Sequence, residues 1–270
     1  MDVPLVVPGW LVEGLASSPR DANPIEARRV HVFDPCSQFA PDCPGFSGVR
    51  VYREALSHNE TRSLLDEIDA TPFLPSQSGK HKQHFGPRFN FMRRRMNAER
   101  FEGVPEYAHL LESRLRDCVA RDASGDPADL EACRSALAEY ETTDVFVLRY
   151  FESNESNLDF HVDDLYAYGE AILDVSLDSD SLLSFLGPYG PDASQKDLVC
   201  VRVPLPARSI AVVYGRARFD WQHALLARDI RGVRTSITLR TLGDALRGTD
   251  AGREVLSRVR SRPWRGLLPS

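Results

Sequence analysis

DVFVLRY (144–150) opens the part of the chain that decides the fold. It is followed, across short gaps, by ILDVSL (172–177), SLLSFLG (181–187), LVCVRVP (198–204), SIAVVYG (209–215) and TSITLR (235–240). Val, Ile, Leu and aromatic residues alternate with polar ones, and Gly or Pro punctuates the runs. Many short strands without helices between them predict a closed or two-sheet antiparallel structure. The segment before it reads differently. Residues 1–30 have no period and read as a loosely ordered arm. Val49–Tyr52 is a strand candidate. Ser57 and Glu60 have capping-box spacing ahead of Leu64, Leu65 and Ile68, which predicts a helix to Ala70. The middle of PFLPSQSGKHKQHFGPRFNFMRRR (72–95) reads as a loop, and Phe89–Phe91 as a short strand. Pro105–Arg121 reads as a helix with Tyr107, Leu110, Leu111 and Leu115 on one side. Asp126-Pro127 starts another, running to Tyr140. A last helix is expected from Gly243 to Arg260. The architecture expected is α+β, mainly β: supporting helices first, then a β-barrel or jelly roll. The division is an arm (1–30), a catalytic domain (31–245, with a lid over 74–100) and a C-terminal helix and tail (246–270).

The 270 residues can bury a substantial core, and 42% hydrophobic with 27% charged residues is ordinary soluble composition. A net charge of −6 argues against bulk affinity for nucleic acid but leaves room for a local basic patch. The start carries Asp2 and the breakers Pro8 and Gly9, unlike a secretion signal, and no apolar run is long enough for a membrane span. An intracellular protein, cytoplasmic or nuclear, with five reduced cysteines is expected. Cys36 and Cys43 lack a second pair for a zinc site.

FHVDDLY (160–166) carries the chemistry. His161 and Asp163 stand two apart, a spacing that on a strand places both on one face. His223, in DWQHAL, follows some 60 residues later. Two imidazoles and a carboxylate on one side of an octahedral ion leave three positions open, the facial triad of non-haem iron(II) oxygenases. H-x-D pairs are common by chance, so a further element is needed. It is RTSITLR (234–240): Arg234, Ser236, Thr238 and Arg240 share one strand face, opposite Thr235, Ile237 and Leu239. Two arginines on one face are costly to bury without an anion. Their planar forks suit carboxylates, so a dicarboxylate would satisfy both.

In SQSGKHKQHFGPRFNF, HVDDLYAYGEAILDVSLDSDSLLSF, VPLPARSIAVVYGRARFDWQHAL and RTSITLR, in that order, the chain resembles the AlkB family of dioxygenases, over Val49–Leu242. The HxDDxxxxGE wording (His161 to Glu170) and LPARS (205–209) resemble the AlkB-homologue-four subfamily. The resemblance implies a double-stranded β-helix (jelly-roll) barrel, iron(II) on His161, Asp163 and His223, 2-oxoglutarate as cosubstrate and O₂ as oxidant. It implies carboxylate contacts from Arg234 and Arg240, a cosubstrate hydrogen bond from Tyr150 and a further contact near Thr238. Leu148 stands where many relatives have Asn. Leu165 stands where base-repairing members have an acid. The lid is matched by Lys80–Asn90, with Lys80, Lys82, Phe85, Arg88 and Asn90 as candidate substrate residues. The subfamily resemblance implies oxidative N-demethylation of methyl-lysine in protein, with actin as the client. The alternative is N6-methyladenine in DNA, which basic residues interleaved with Phe85, Phe89 and Phe91 could hold. Acidic net charge and Leu165 tilt the reading to protein. A catalytically silent metal-binding scaffold is the reading of another class.

Overall fold

The computed structural model describes residues 29–38, 43, 45–187 and 198–261. Most of the expected arm, and the tail beyond Ser261, lie outside the described residues. In chain order the elements are β1 (Arg29–Val32), β2 (Val49–Tyr52), α1 (His58–Asp69), β3 (Leu74–Pro75), β4 (His81–Phe85), β5 (Arg88–Asn90), β6 (Arg95–Asn97), α2 (Glu106–Arg121) and α3 (Pro127–Leu137). There follow β7 (Asp144–Phe151), β8 (Leu158–His161), β9 (Tyr168–Ser176), β10 (Ser181–Gly187), β11 (Val199–Leu205), β12 (Ser209–Val213), α4 (Gly215–Phe219), β13 (Gln222–Leu225), β14 (Val233–Leu242), α5 (Asp244–Arg247) and α6 (Asp250–Ser261).

Local chemistry sets the helix ends. Ser57 and Glu60 close the capping box at the start of α1. Asp126 caps α3, with Pro127 in its first turn, where no donor is lost. On α2, Tyr107, Ala108, Leu111, Leu115 and Val119 are buried. Leu110, expected on that side, is 68% exposed, because the buried stripe runs through positions 107, 111 and 115 instead. The single C-terminal helix expected from Gly243 is broken into α5 and α6 around Gly248.

The strands make an α+β fold with mixed sheets, but they do not close into the expected barrel. One sheet has five strands in the order β1-β11-β10-β13-β8, and the other has seven, β2-β12-β9-β14-β7-β4-β3. Both are open, and no ladder joins them among the described residues. Closure would need the outer strands to pair across the gap. Instead β8 stops at His161 and the chain turns away to β9 in the other sheet. β3, at the far edge, is two residues long. Arg50 on β2 is committed to Asp122 and the Ser124 carbonyl of the α2–α3 connection. The first sheet is mixed because β1 joins β11 in parallel.

The seven-stranded sheet is buried on both faces. Val145, Val147, Leu173, Val175, Val212, Ile237 and Leu239 pack against α1, α2 and α3. Leu148, Tyr150, Ala211 and Val213 pack against Leu183, Phe185, Val201 and Val203 of the five-stranded sheet. Two features escape the sequence reading, β4 and the partner strand β6 of the short strand read at Phe89–Phe91. β4 (HKQHF) is polar in composition yet pairs with β7. The end of the lid is a hairpin, β5 with β6, whose turn holds Phe91–Arg94, with Arg94 in the left-handed region.

Candidate metal centre

β8 and β13 run antiparallel with His161 directly opposite His223, and opposed residues share a face. Their rings lie 4.4 Å apart, centroid to centroid. Asp163 is not on the strand as the spacing suggested. It stands two residues beyond, where the chain crosses between sheets. Its Oδ2 is 3.6 Å from His223 Nε2, and one ligand atom from each of His161, Asp163 and His223 lies within 4.8 Å of the others. Among the described residues this is the one group of His, Cys, Asp and Glu arranged to hold a metal ion.

The crossing is built to hold Asp163. The neighbouring Asp164 makes the turn: its Oδ1 accepts from the Tyr166 and Ala167 amides at 2.9 and 2.7 Å. Thus the two acids of HVDD have separate tasks. Arg218 on α4 is buried, and donates to the carbonyls of Asp163, Asp164 and Tyr168 at 2.9, 3.2 and 3.4 Å. His161 Nδ1 donates to the Asp159 carbonyl at 2.8 Å, which leaves Nε2 with its lone pair for a metal.

Electrostatics suit the donors. Burial alone would raise the Asp163 carboxyl, but Arg240, then His223 and His161, outweigh it and hold it at about 2. Burial, reinforced by His161, pushes His223 down to about 3, so the imidazole is neutral near pH 7. Asp163 Oδ2 is buried and accepts no hydrogen bond. An ionised, unsatisfied oxygen facing two imidazole nitrogens fits a divalent cation, and this donor set suits iron(II).

Beside the triad is a cavity of about 230 Å³. Its lining includes Tyr150, Asp174, Ser236, Thr238 and Arg240, with Leu148, Leu158 and Leu225 as apolar wall. Arg240 Nη2 reaches Asp163 Oδ1 at 2.9 Å and Nη1 reaches Asp144 Oδ1 at 3.3 Å. Asp144 in turn meets His84 Nε2 at 2.7 Å, and His84 stacks on Phe146. Arg234 is fully buried, stacks on Tyr150, and has Asp174 Oδ2 3.3 Å from Nη2. Its Nε and Nη1, and the Tyr150 hydroxyl, have no hydrogen-bond partner. Buried donors of this kind call for an anion, and a dicarboxylate fits them.

The lid candidates separate. Lys80 and Lys82 both line the cavity. Lys80 is buried, with Nζ donating to the carbonyls of Gln77 and Asn157 at 3.0 and 2.8 Å, so it ties the lid to the chain entering β8. Phe85 packs toward the helices. Arg88 and Asn90 are exposed on the hairpin. Leu165 is 55% exposed beside the metal loop. Sequence reasoning misses Arg218, which no local pattern marks. It also misses Asp174, although alternation in ILDVSL sets that acid between the buried Leu173 and Val175. His84 and Asp144 are missed because their link joins two strands 60 residues apart.

No family model matches the chain. It is 28% identical over 193 residues to the DNA N6-methyl adenine demethylase of Caenorhabditis elegans, a match covering 72% of this chain and 59% of that protein. The chain thus spans less than two thirds of that relative. It is 30% identical over 238 residues to the human alpha-ketoglutarate-dependent dioxygenase alkB homolog 4, covering 78% of this chain and 74% of the relative. The mouse protein of the same name is 25% identical over 221 residues, covering 73% and 68%. With the triad in place, the chain belongs to the AlkB family of 2-oxoglutarate- and iron(II)-dependent dioxygenases.

Proposed function

We propose that this chain removes N-methyl groups oxidatively, with N6-methyladenine in DNA as the substrate. The observation that carries the choice of substrate is the β5–β6 hairpin. From Ala70 to Ala98 the chain contains no acid but has Lys80, Lys82, Arg88, Arg93, Arg94 and Arg95. Arg88 and Arg93–Arg95 are exposed, and the tip presents Met92 at 99% and Phe91 at 52% exposure. The hairpin stands over the metal loop. Phe89 packs edge-on to Tyr168 at 5.6 Å, Arg94 lies over Tyr166 at 5.4 Å, and Tyr168 lies under Arg240. Guanidinium groups beside exposed apolar side chains suit phosphates and bases. The methyl-lysine reading leans on net negative charge, but that charge is absent from this surface. The name of the nematode relative supports the same substrate.

Iron would be held by His161, Asp163 and His223, and the carboxylates of 2-oxoglutarate by Arg240 and Arg234, assisted by Thr238 and Tyr150. With 2-oxoglutarate and O₂, the bound iron supplies the hydroxylation of the N-methyl carbon; the carbinolamine then loses formaldehyde, and succinate and CO₂ are released. The chain's own groups orient and exclude. Arg240 keeps Asp163 ionised and aimed at the histidines. Leu148, Leu158 and Leu225 keep water from the cavity. Phe89 and Tyr168 offer aromatic surface beside the metal.

The test is formaldehyde release from N6-methyladenine oligonucleotides, methyl-lysine peptides and methylated actin. Release from the oligonucleotides is expected. Release from lysine substrates alone would overturn the DNA assignment and leave demethylation standing. A His161→Ala/Asp163→Ala variant that made succinate at the wild-type rate would overturn the whole assignment. No succinate from wild-type protein would favour a scaffold without chemistry.

A further inference from the structure

The cosubstrate cavity contains a group that a dicarboxylate site should not tolerate. Asp174 sits two residues before the end of β9, in register with Thr238 on one side and Ala211 on the other. Its carboxylate lines the cavity, with Oδ2 3.3 Å from Arg234 Nη2 and Oδ1 3.5 Å from Thr238 Oγ1. Arg234 is absent from the cavity lining, so an anion that comes to Arg234 from the cavity meets Asp174 first. Nε and Nη1 of Arg234 are buried donors without a hydrogen-bond partner, which a second carboxylate would satisfy. That carboxylate would lie within one guanidinium's width of the first.

We propose that cosubstrate binding is proton-coupled at Asp174: the side chain takes one proton from solvent as the distal carboxylate of 2-oxoglutarate settles on Arg234, and donates it as a hydrogen bond between the two carboxyl groups. Two carboxylates at contact share a proton because both cannot stay ionised. The groups facing Asp174 are Arg234 and Arg240 on β14, Tyr150 on β7, Lys82 on β4 with Lys80 just before it, and His161 and His223 across the cavity. β12 contributes the apolar Ala211 and Val213. Burial raises the Asp174 carboxyl, and Arg234 opposes this without cancelling it, the direction that eases uptake of a proton when the cosubstrate arrives.

The inference rests on the reading that this cavity takes 2-oxoglutarate, and the test separates the two. The metal-loaded protein, with Mn(II) in place of iron, is titrated calorimetrically with 2-oxoglutarate from pH 6 to 8.5 in two buffers of different ionisation enthalpy. Both cosubstrate carboxylates are ionised throughout. The wild-type Kd is expected to rise by about tenfold per pH unit on the alkaline side, with one proton taken up per ligand. Asp174→Asn should flatten that slope, abolish the buffer dependence and bind at least tenfold more tightly at pH 8. Asp174→Ser is the second variant, and melting curves establish that each is folded. A wild-type Kd that is flat with pH, with heats independent of buffer, overturns the proposal and leaves the dicarboxylate reading intact. No binding to wild type or to either variant at any pH overturns both.

Discussion

Replacing Arg218 with methionine tests how the crossing loop holds its metal ligand. The guanidinium makes hydrogen bonds of 2.9 and 3.2 Å to the carbonyls of Asp163 and Asp164 and a longer one of 3.4 Å to Tyr168. Bonds from a charged donor contribute roughly 1.5–3 kcal/mol each, so the two shorter ones amount to about 3–6 kcal/mol. Methionine fills much of the volume and removes the need to bury a charge, which offsets part of that loss. The expectation is a loss of about 3 kcal/mol, seen as a fall in Tm of roughly 6–12 °C. The functional effect follows from geometry. Without the clamp Asp163 loses its fixed position, and metal affinity should fall by about 10–100-fold, as for other groups that orient ligands. Anaerobic titration with Fe(II) or Mn(II) measures this, and melting with and without metal gives an independent readout, since metal binds the folded state. Arg218→Lys should fall between, because one ammonium cannot span both carbonyls as the fork does. A methionine variant with wild-type metal affinity and a lowered Tm would show that Arg218 merely braces α4, and the positioning argument would fail.

Gly86→Ala should disturb the arginine of the same centre from the other side. A Cβ at Gly86 would stand 2.1 Å from Asp144 Oδ2 and 2.8 Å from His84 Nε2, so the Asp144 carboxylate that pairs with Arg240 must shift. A stability loss of about 1–3 kcal/mol and a higher 2-oxoglutarate Kd are expected; an unchanged Kd would show that the His84–Asp144–Arg240 chain is not needed. On the hairpin, Arg93→Glu/Arg95→Glu should weaken oligonucleotide binding and reduce the salt dependence by about 0.7–0.9 in log–log slope for each phosphate that is no longer neutralised. Uncoupled 2-oxoglutarate turnover should stay at the wild-type rate, and an unaltered salt slope would detach the hairpin from the nucleic acid.

What the sequence makes legible here are features written in a local period. The six strand runs, the Ser57–Glu60 cap and the shared face of Arg234, Ser236, Thr238 and Arg240 each follow from alternation or spacing. So does the pairing of His161 with Asp163, although the carboxylate works from a loop, not from the strand. What is not legible is set by register and partner choice. Nothing in HKQHF marks it as a neighbour of β7. The opposition of His223 and His161 depends on how β13 slides against β8. Lys80 draws notice in the sequence because it is charged and lies in the lid; nothing local to it shows that its ammonium bonds the Gln77 and Asn157 carbonyls. Closure is the natural expectation because jelly-roll patterning and open-sheet patterning are the same along each strand; only the edges differ, and edges depend on which strands are left without partners.

The separation of the two sheets has a consequence for how this enzyme could change. The histidines ride on one sheet and the arginines on the other, and the ion pair from Arg240 to Asp163 spans the divide. No ladder among the described residues fixes that gap, and the apolar side chains packed between the sheets, Leu183, Phe185, Val201 and Val213 among them, fill it. These four residues act as a shim between oxidant and anchor. Selection in the laboratory for a shorter or longer dicarboxylate should therefore enrich changes in side-chain volume within this wedge, ahead of changes in the groups that touch the ligand.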